Sequence, residues 1–435
     1  MRARQRAVVF SLVALFYLAA GTYKASHFSL DFIPVYLGAR CLVHGCNPYD
    51  PPQLNQQYVA AHGTAKLMRP DFWVARPSVY PPSTFLTLSP LALLPFRPAS
   101  VIWALLGGSA LIMAMAFMIS ISSRDGSWAL TLFGIFVLIM DIGLLGTGNP
   151  ATFACSLAVI GAGFFLIGRY LPLGTVLLTL SLAVKPQVAG LIILYLLVRG
   201  IGRRWAALSL GGGLAFLLTG ILVFEMHAGS QHWLTSLRAN LAECVQPGHV
   251  NDPTPTNPQL GLTNLQTLTS VFLANPKAWN AAAWAITLLL FTVWIVSIRK
   301  LGTEPASHFL ALPPLLVLSL FPVYHRSCDV LILLLSFPMI VRVLRGHKVL
   351  GGCILLLTAL PIFSDDFAWP IAHAVGRFWN LTDALSHKAV FILLMRPYSL
   401  QLLLLFGLYL VAMRVLSAES RAGAEVQHAI PVSHA

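Results

Sequence analysis

Long apolar runs, separated by short polar or Pro/Gly-rich stretches, dominate the chain. A membrane crossing takes about 20 mainly apolar residues, and runs near 7–23, 206–223, 279–298, 306–322, 329–344, 348–363 and 397–415 have that character. The stretch 83–199 holds further runs at 83–95, 98–121, 129–146, 150–168 and 171–199, set apart by PFRP, SSRDGS, GTGNP and RYLP. The first of these is short for a crossing and the last is interrupted by Lys185-Pro186, so either can be re-entrant or broken. The pattern predicts an all-α, polytopic integral membrane protein of about 12 transmembrane helices. A single membrane domain spans 1–435, with a cytoplasmic tail over 416–435. The basic start followed by 7–23 has the outline of a signal peptide. No clean small-residue cleavage site follows, and the run reads as a retained first helix.

Composition agrees: 57% of the 435 residues are hydrophobic and 10% charged. Soluble domains carry about 25% charged residues, so this chain has too little polar surface to cover itself in water. Its net charge of +13 would suggest nucleic acid in a soluble protein. With the N-terminus in the cytoplasm, however, alternating spans return Arg97, Arg199, Arg203, Arg204, Arg299, Lys300, Arg342, Arg345, Lys348, Arg414 and Arg421 to that side. The surplus is then a topology signal, the partner is the lipid bilayer, and no nucleic acid is implied.

External loops at 24–82, 224–278 and 364–390 are the places to seek chemistry, because loops on a rigid scaffold carry function. In the first, Asp31 stands just beyond the first span. Phe32, Val35, Tyr36, Ala39, Leu42 and Val43 after it recur at helical spacing, which predicts an amphipathic interfacial helix ending at Gly45 and Pro48. Two readings of Asp31 fit equally: a carboxylate poised at the boundary to take a proton from a sugar hydroxyl, or an acid meeting a helix N-terminus. Tyr80-Pro81-Pro82 keeps the loop exit extended. In the second loop, Trp233, Leu234, Leu237 and Leu241 suggest another interfacial helix, and the Pro-rich PGHVNDPTPTNP that follows is expected to be mobile. Cys46 and Cys244 both fall in external loops, where a disulfide between them is possible.

Inside the spans, Lys185 is the most informative charge. An ammonium in hydrocarbon costs about 2.5–3.5 kcal/mol on insertion scales, so it needs a partner. Either Asp141, the one acid in a predicted span, or a bound lipid phosphate can serve. PVYHRSCD, residues 322–329, puts His325, Arg326 and an acid at another boundary. The first loop lacks a D-x-D pair, Asp125 is alone in its turn and Asp365-Asp366 come late, so no metal or other cofactor is expected.

The order of these features resembles glycosyltransferase family 87. They are a lone Asp after the first span, Y-x-x-A-R from Tyr36 to Arg40, G-x-N-P-Y from Gly45 to Tyr49, Y-P-P, P-L-x-x-L-P, Gly148-Asn149, then Lys185-Pro186 before Arg203-Arg204-Trp205. The resemblance runs over about residues 8–345. It implies a GT-C-type helical bundle and inverting transfer of a sugar, mannose above all, from a polyprenyl-phosphate donor to a glycan or glycolipid acceptor at the extracytoplasmic face. It also implies Asp31 as general base. One base suffices when the leaving group is a phosphate, whereas glycoside hydrolysis uses two carboxylates. His325 matches a functional external histidine of the family. With Arg326 and Lys185 it is expected at the donor phosphate. Tyr36, Arg40, Tyr49, Tyr80 and Asn149 are expected substrate contacts, and Asn264 and Gln266 in TNLQTL match an acceptor-contact patch weakly. Ordinary helix capping is the other reading of Asn149. A transporter or lipid-glycan flippase with a midplane site at Lys185 and Asp141 is the alternative function.

Overall fold

The computed structural model describes residues 2–61, 78–122, 128–227, 232–249, 251–257, 261–299, 301–302, 304–322, 324–362 and 387–429, with side chains from 4 to 419. Asp125, Asp365, Asp366 and most of the third expected loop lie outside them. Among the described residues, seven helical stretches are long and apolar enough to cross a membrane. They are α1 (Arg2–Phe28), α5 (Phe96–Ser122), α6 (Trp128–Thr147), α10 (Arg203–Met226), α13 (Pro276–Ile298), the stretch Ser327–Gly346 made of a 3-10 helix (Ser327–Ser336) and α15 (Phe337–Gly346), and α18 (Pro397–Ala429). Leu208, Leu214, Leu218 and Leu222 on α10 lie exposed, as a lipid-facing side requires. Shorter helices fill the gaps: α2 (Phe32–His44), α3 (Pro51–Ala60), α4 (Pro82–Ala92), α7 (Pro150–Leu166), α8 (Leu171–Val184), α9 (Pro186–Arg199), α11 (Trp233–Cys244), α12 (Gln266–Phe272), α14 (Pro305–Ser319), α16 (Lys348–Ala359) and α17 (Lys388–Met395). Among the described residues there is no β-strand, only an isolated bridge between Leu262 and Arg326.

Contacts between helices fix their directions. On α1 and α6, Tyr17 meets Asp141, Gly21 meets Leu145 and Lys24 meets Gly146, so the two run parallel. On α8 and α10, Thr175 reaches Trp205 and Thr179 reaches Ser209, so these also run parallel. The α9 that joins them must therefore run back. The apolar run 171–199 is thus a hairpin reversing at Lys185-Pro186, not one interrupted crossing. Its 14-residue arms reach about 21 Å, short of the roughly 30 Å hydrocarbon core. Lys185 closes the last turn of α8 through N–H to Ser181 O at 2.8 Å, and Pro186 opens α9 at a position where its missing N–H costs nothing.

The run 83–95, short for a crossing and open to a re-entrant reading, lies in and just after α4. The Pro82 carbonyl that opens α4 lies against Gly220 of α10, and the Ala92 and Leu94 carbonyls accept from Arg40 and Tyr36 of α2. It packs along the loop face instead of crossing. The expected interfacial helix α2 forms, yet Phe32, Ile33, Val35, Tyr36, Leu37, Ala39 and Cys41 are all fully buried. It is a core element of the loop face, covered by α4 and α5. As a result Arg97 stands on the loop face, beside Phe96 packed on Tyr36. Arg169, at the α7–α8 turn, stands on the N-terminal face. The two exchange sides, and the basic excess on the N-terminal face persists.

The disulfide links Cys41 to Cys46, across the turn that ends α2. It replaces the expected pairing of Cys46 with Cys244; Cys244 ends α11 and takes no part in it.

Candidate active site

On the loop face, the start of α2, the α6–α7 turn, the extended approach to α4, the apex of the α8–α9 hairpin and the segment 324–329 converge on a cavity of about 180 Å³. Its polar lining includes Asp31, Tyr80, Asn149, Lys185, Arg326 and Asp329.

Asp31 owes its position to the α6–α7 turn. Its backbone N–H donates to Thr147 O at 2.8 Å. Its Oδ2 accepts from Thr147 Oγ1 at 2.8 Å and Asn149 Nδ2 at 3.0 Å. Oδ1 accepts nothing from the described residues. Asp31 occupies the N-cap position of α2, so it does meet a helix N-terminus, but its carboxylate makes no capping bond there and is turned to the α6–α7 turn instead. Asn149 does two jobs: its Oδ1 caps α7 by accepting from Ala151 N at 2.9 Å, while its amide nitrogen holds Asp31. A serine could do the first but, after capping, would have no comparable second donor in that direction. Gly148 is required beside it, because φ is +71° and a Cβ would come within 2.7 Å of Phe32 Cβ. The turn therefore belongs to the same face as Asp31, whereas alternating spans would have put it on the opposite side.

Across the cavity the charges are paired. Lys185 Nζ bonds Asp329 Oδ1. Asp329 Oδ2 accepts from His325 Nδ1 at 2.9 Å and from Arg326 N at 3.3 Å. Asp329 and His325 are buried, at 1% and 0% exposure, and such burial demands a partner for each charge. This answers what offsets Lys185, and corrects the expected pairing with Asp141. Asp141 instead accepts from Tyr17 Oη at 2.6 Å and Thr152 Oγ1 at 3.1 Å. The midplane Lys185–Asp141 site of a transporter is not formed.

His325 does not line the cavity. It stands behind Asp329, its Nε2 without a hydrogen bond among the described residues. Its carbonyl accepts from Thr263 N at 3.1 Å, and Ser327 N donates to Gly261 O at 2.8 Å, so residues 261–263 brace the segment. Arg326, by contrast, is part of the lining. Tyr80 and Tyr324 add phenols that burial pushes well above their ordinary pKa; the nearby Lys185 and Arg326 oppose this only in part. Both remain neutral hydrogen-bonding groups at physiological pH.

The other expected contacts lie elsewhere. Tyr36 and Arg40 are spent on the carbonyls of Leu94 and Ala92. Tyr49 Oη donates to Tyr80 O at 2.8 Å and so sets the backbone of a lining residue. Gln266 Nε2 donates to Pro322 O at 3.2 Å, and the Asn264 carbonyl accepts from Thr267 and Ser399. None of these five side chains lines the cavity; the side chains of Tyr36, Arg40, Tyr49 and Gln266, and the backbone of Asn264, hold the elements that do. Residues not anticipated are Asp329, Tyr324, Gln187, Cys244 and Asn251. For Asp329 a signal was present, an acid four residues after His325 at a membrane boundary; for the others there was none.

A family model described as glycosyltransferase family 87 matches residues 79–321, more than half of the chain. The match contains Tyr80, Asn149 and Lys185, while Asp31, Arg326 and Asp329 lie outside it. No curated protein and no solved structure matches the chain.

Proposed function

Because the chain belongs to glycosyltransferase family 87, we propose that it moves a sugar, mannose in the first instance, from a polyprenyl-phosphate donor to a glycan or glycolipid acceptor at the extracytoplasmic membrane face. The proposed fold is a GT-C-type bundle, with about 12 transmembrane legs when the two hairpin arms are counted separately. One observation carries this reading. A carboxylate with one uncommitted oxygen, and two cations, Lys185 and Arg326, line the same cavity on the loop face.

In the proposed step, Asp31 Oδ1 takes the proton of the acceptor hydroxyl as its oxygen attacks the anomeric carbon. The bond from that carbon to the phosphate oxygen breaks on the opposite side, inverting the centre, and polyprenyl phosphate leaves with the electron pair. Thr147 and Asn149 aim the base through Oδ2 and leave Oδ1 for the reaction. Lys185 and Arg326 hold the phosphate by charge-assisted hydrogen bonds. Counted with Asp329, the partner of Lys185, these side chains sum to one positive charge, which suits a phosphodiester. His325 acts through Asp329 as a positioning residue. Tyr80 and Asn149 form part of the wall around the sugar.

A second recess of about 400 Å³, lined by Phe28, Leu144, Leu331 and Ile362, shares Thr147 with the Asp31 anchor. It offers an apolar wall for an isoprenoid chain. The test is incubation of membranes with labelled polyprenyl-phosphate mannose. Label is expected in a lipid-linked or glycan product, with Asp31→Asn lowering turnover roughly 10²–10⁴-fold, the usual worth of a general base. Full turnover by Asp31→Asn would remove the base assignment, and absence of labelled product would remove the donor.

A further inference from the structure

We infer that Asn251 and Gln187 form a recognition subsite for the hydroxyls of the donor's sugar, Asn251 being delivered by a loop that is rigid before substrate arrives. This rests on the proposed function.

The Pro-rich stretch around Asn251 is expected from sequence to be mobile; its described residues are instead tied down. The buried Asp252 carboxylate accepts from Gly248 N, Thr254 N, Thr254 Oγ1 and Thr256 Oγ1 at 2.8–2.9 Å. Its backbone carbonyl accepts from Asn257 Nδ2 at 2.7 Å. From the start of α18, the fully buried Arg396 donates through Nη2 to Thr254 O at 2.8 Å and Asn257 O at 2.9 Å. Burial in this loop lowers the Arg396 pKa to about 10, a shift the nearby Asp252 charge resists. Ser270 Oγ fixes Pro253 O from the other side at 2.7 Å. The residue that this framework carries to the cavity is Asn251, whose N–H donates to Cys244 O at 2.9 Å.

The side chains at the cavity differ from everything holding the loop. Asn251 is nine-tenths buried, at 9% exposure, and lines the cavity, yet its carboxamide bonds to no described residue. Gln187, in the first turn of α9 two residues beyond Lys185, also lines the cavity and its carboxamide is likewise uncommitted. The Asn251 side chain, nine-tenths withdrawn from solvent, and the half-buried Gln187 present amide donors and acceptors to the cavity, so they suit a ligand that supplies both. Uncharged sugar hydroxyls are such a ligand. A phosphate offers only acceptors, and an isoprenoid neither. The short step from Lys185 to Gln187 puts this subsite next to the proposed phosphate site, where the donor's sugar must be.

The experiment measures binding of bare polyprenyl phosphate, and of polyprenyl phosphate carrying mannose, glucose or arabinofuranose, to the purified full chain. Wild type is expected to bind at least one sugar-bearing lipid more tightly than the bare one. Asn251→Ala and Gln187→Ala remove no bond within the protein, so melting temperature and bare-lipid binding are expected to stay unchanged. The sugar-dependent gain should fall roughly three- to tenfold for each, the worth of one hydrogen bond. An unaltered gain in both variants overturns the inference while leaving the phosphate site standing. A wild type that prefers no sugar-bearing lipid also overturns it, and failure to bind any of the four lipids takes the proposed function down as well.

Discussion

The two ends of the cavity solve opposite problems with the same side-chain type. At one end, Asp31 has no cationic partner among the described residues; it is held by a hydroxyl and an amide on one oxygen, and the other accepts from none of them. At the other end, Asp329 is fully engaged, by Lys185 on one oxygen and by His325 and Arg326 N on the other. A carboxylate locked in ion pairs is a poor proton acceptor, and one without a counter-ion is a poor anchor for buried cations. The contrast separates a group fit for chemistry from a group that organises charge, though both are aspartates at a membrane boundary.

The contrast can be broken first at Asp329. Asp329→Leu leaves Lys185 buried without its partner, and is expected to destabilise the protein by about 3–5 kcal/mol. Thermal unfolding in detergent reads this, and pairing it with Lys185→Met should restore much of the loss. Asp31→Asn, lacking such a partner, should shift stability by less than about 1 kcal/mol in the same assay. A smaller effect is expected at the turn. Asn149→Ser keeps the α7 cap but removes the donor to Asp31, so stability should change little while turnover falls about 10- to 150-fold, the worth of a hydrogen bond to a charged group. Smaller again, Arg396→Met loosens the loop that carries Asn251. Faster proteolytic cleavage within 246–257 is expected, with bare polyprenyl phosphate still bound.

Much of the Asp31 end was legible because its parts are local in sequence. Gly148-Asn149-Pro150 announces a turn by its residue types, and Pro186 announces a break beside Lys185. What hydropathy cannot carry is direction. The run 171–199 reads the same as one long span or two short arms, and only the contacts of Thr175 and Thr179 with α10 show the reversal. Partner choice was equally hidden: Lys185 and Asp329 are 144 residues apart, and Asp141 was the nearer acid by hydropathy alone. The family motifs Tyr36, Arg40 and Tyr49 were found by residue type, but residue type does not say whether a side chain faces a cavity or a neighbouring carbonyl. The loop at 251–257 departs from its sequence reading for a related reason. Its prolines suggested mobility, while the restraint comes from Arg396, far along the chain.

The central claim is that the two ends have separate jobs in one site, and it is tested most directly by measuring donor affinity and single-turnover rate side by side for Asp31→Asn and Arg326→Gln with polyprenyl-phosphate mannose. Arg326→Gln is expected to weaken donor binding about tenfold, the loss of one charge-assisted contact, while Asp31→Asn binds donor as wild type does and loses turnover. Asp31→Asn weakening donor binding as much as Arg326→Gln, or turning over at the wild-type rate, would contradict the account.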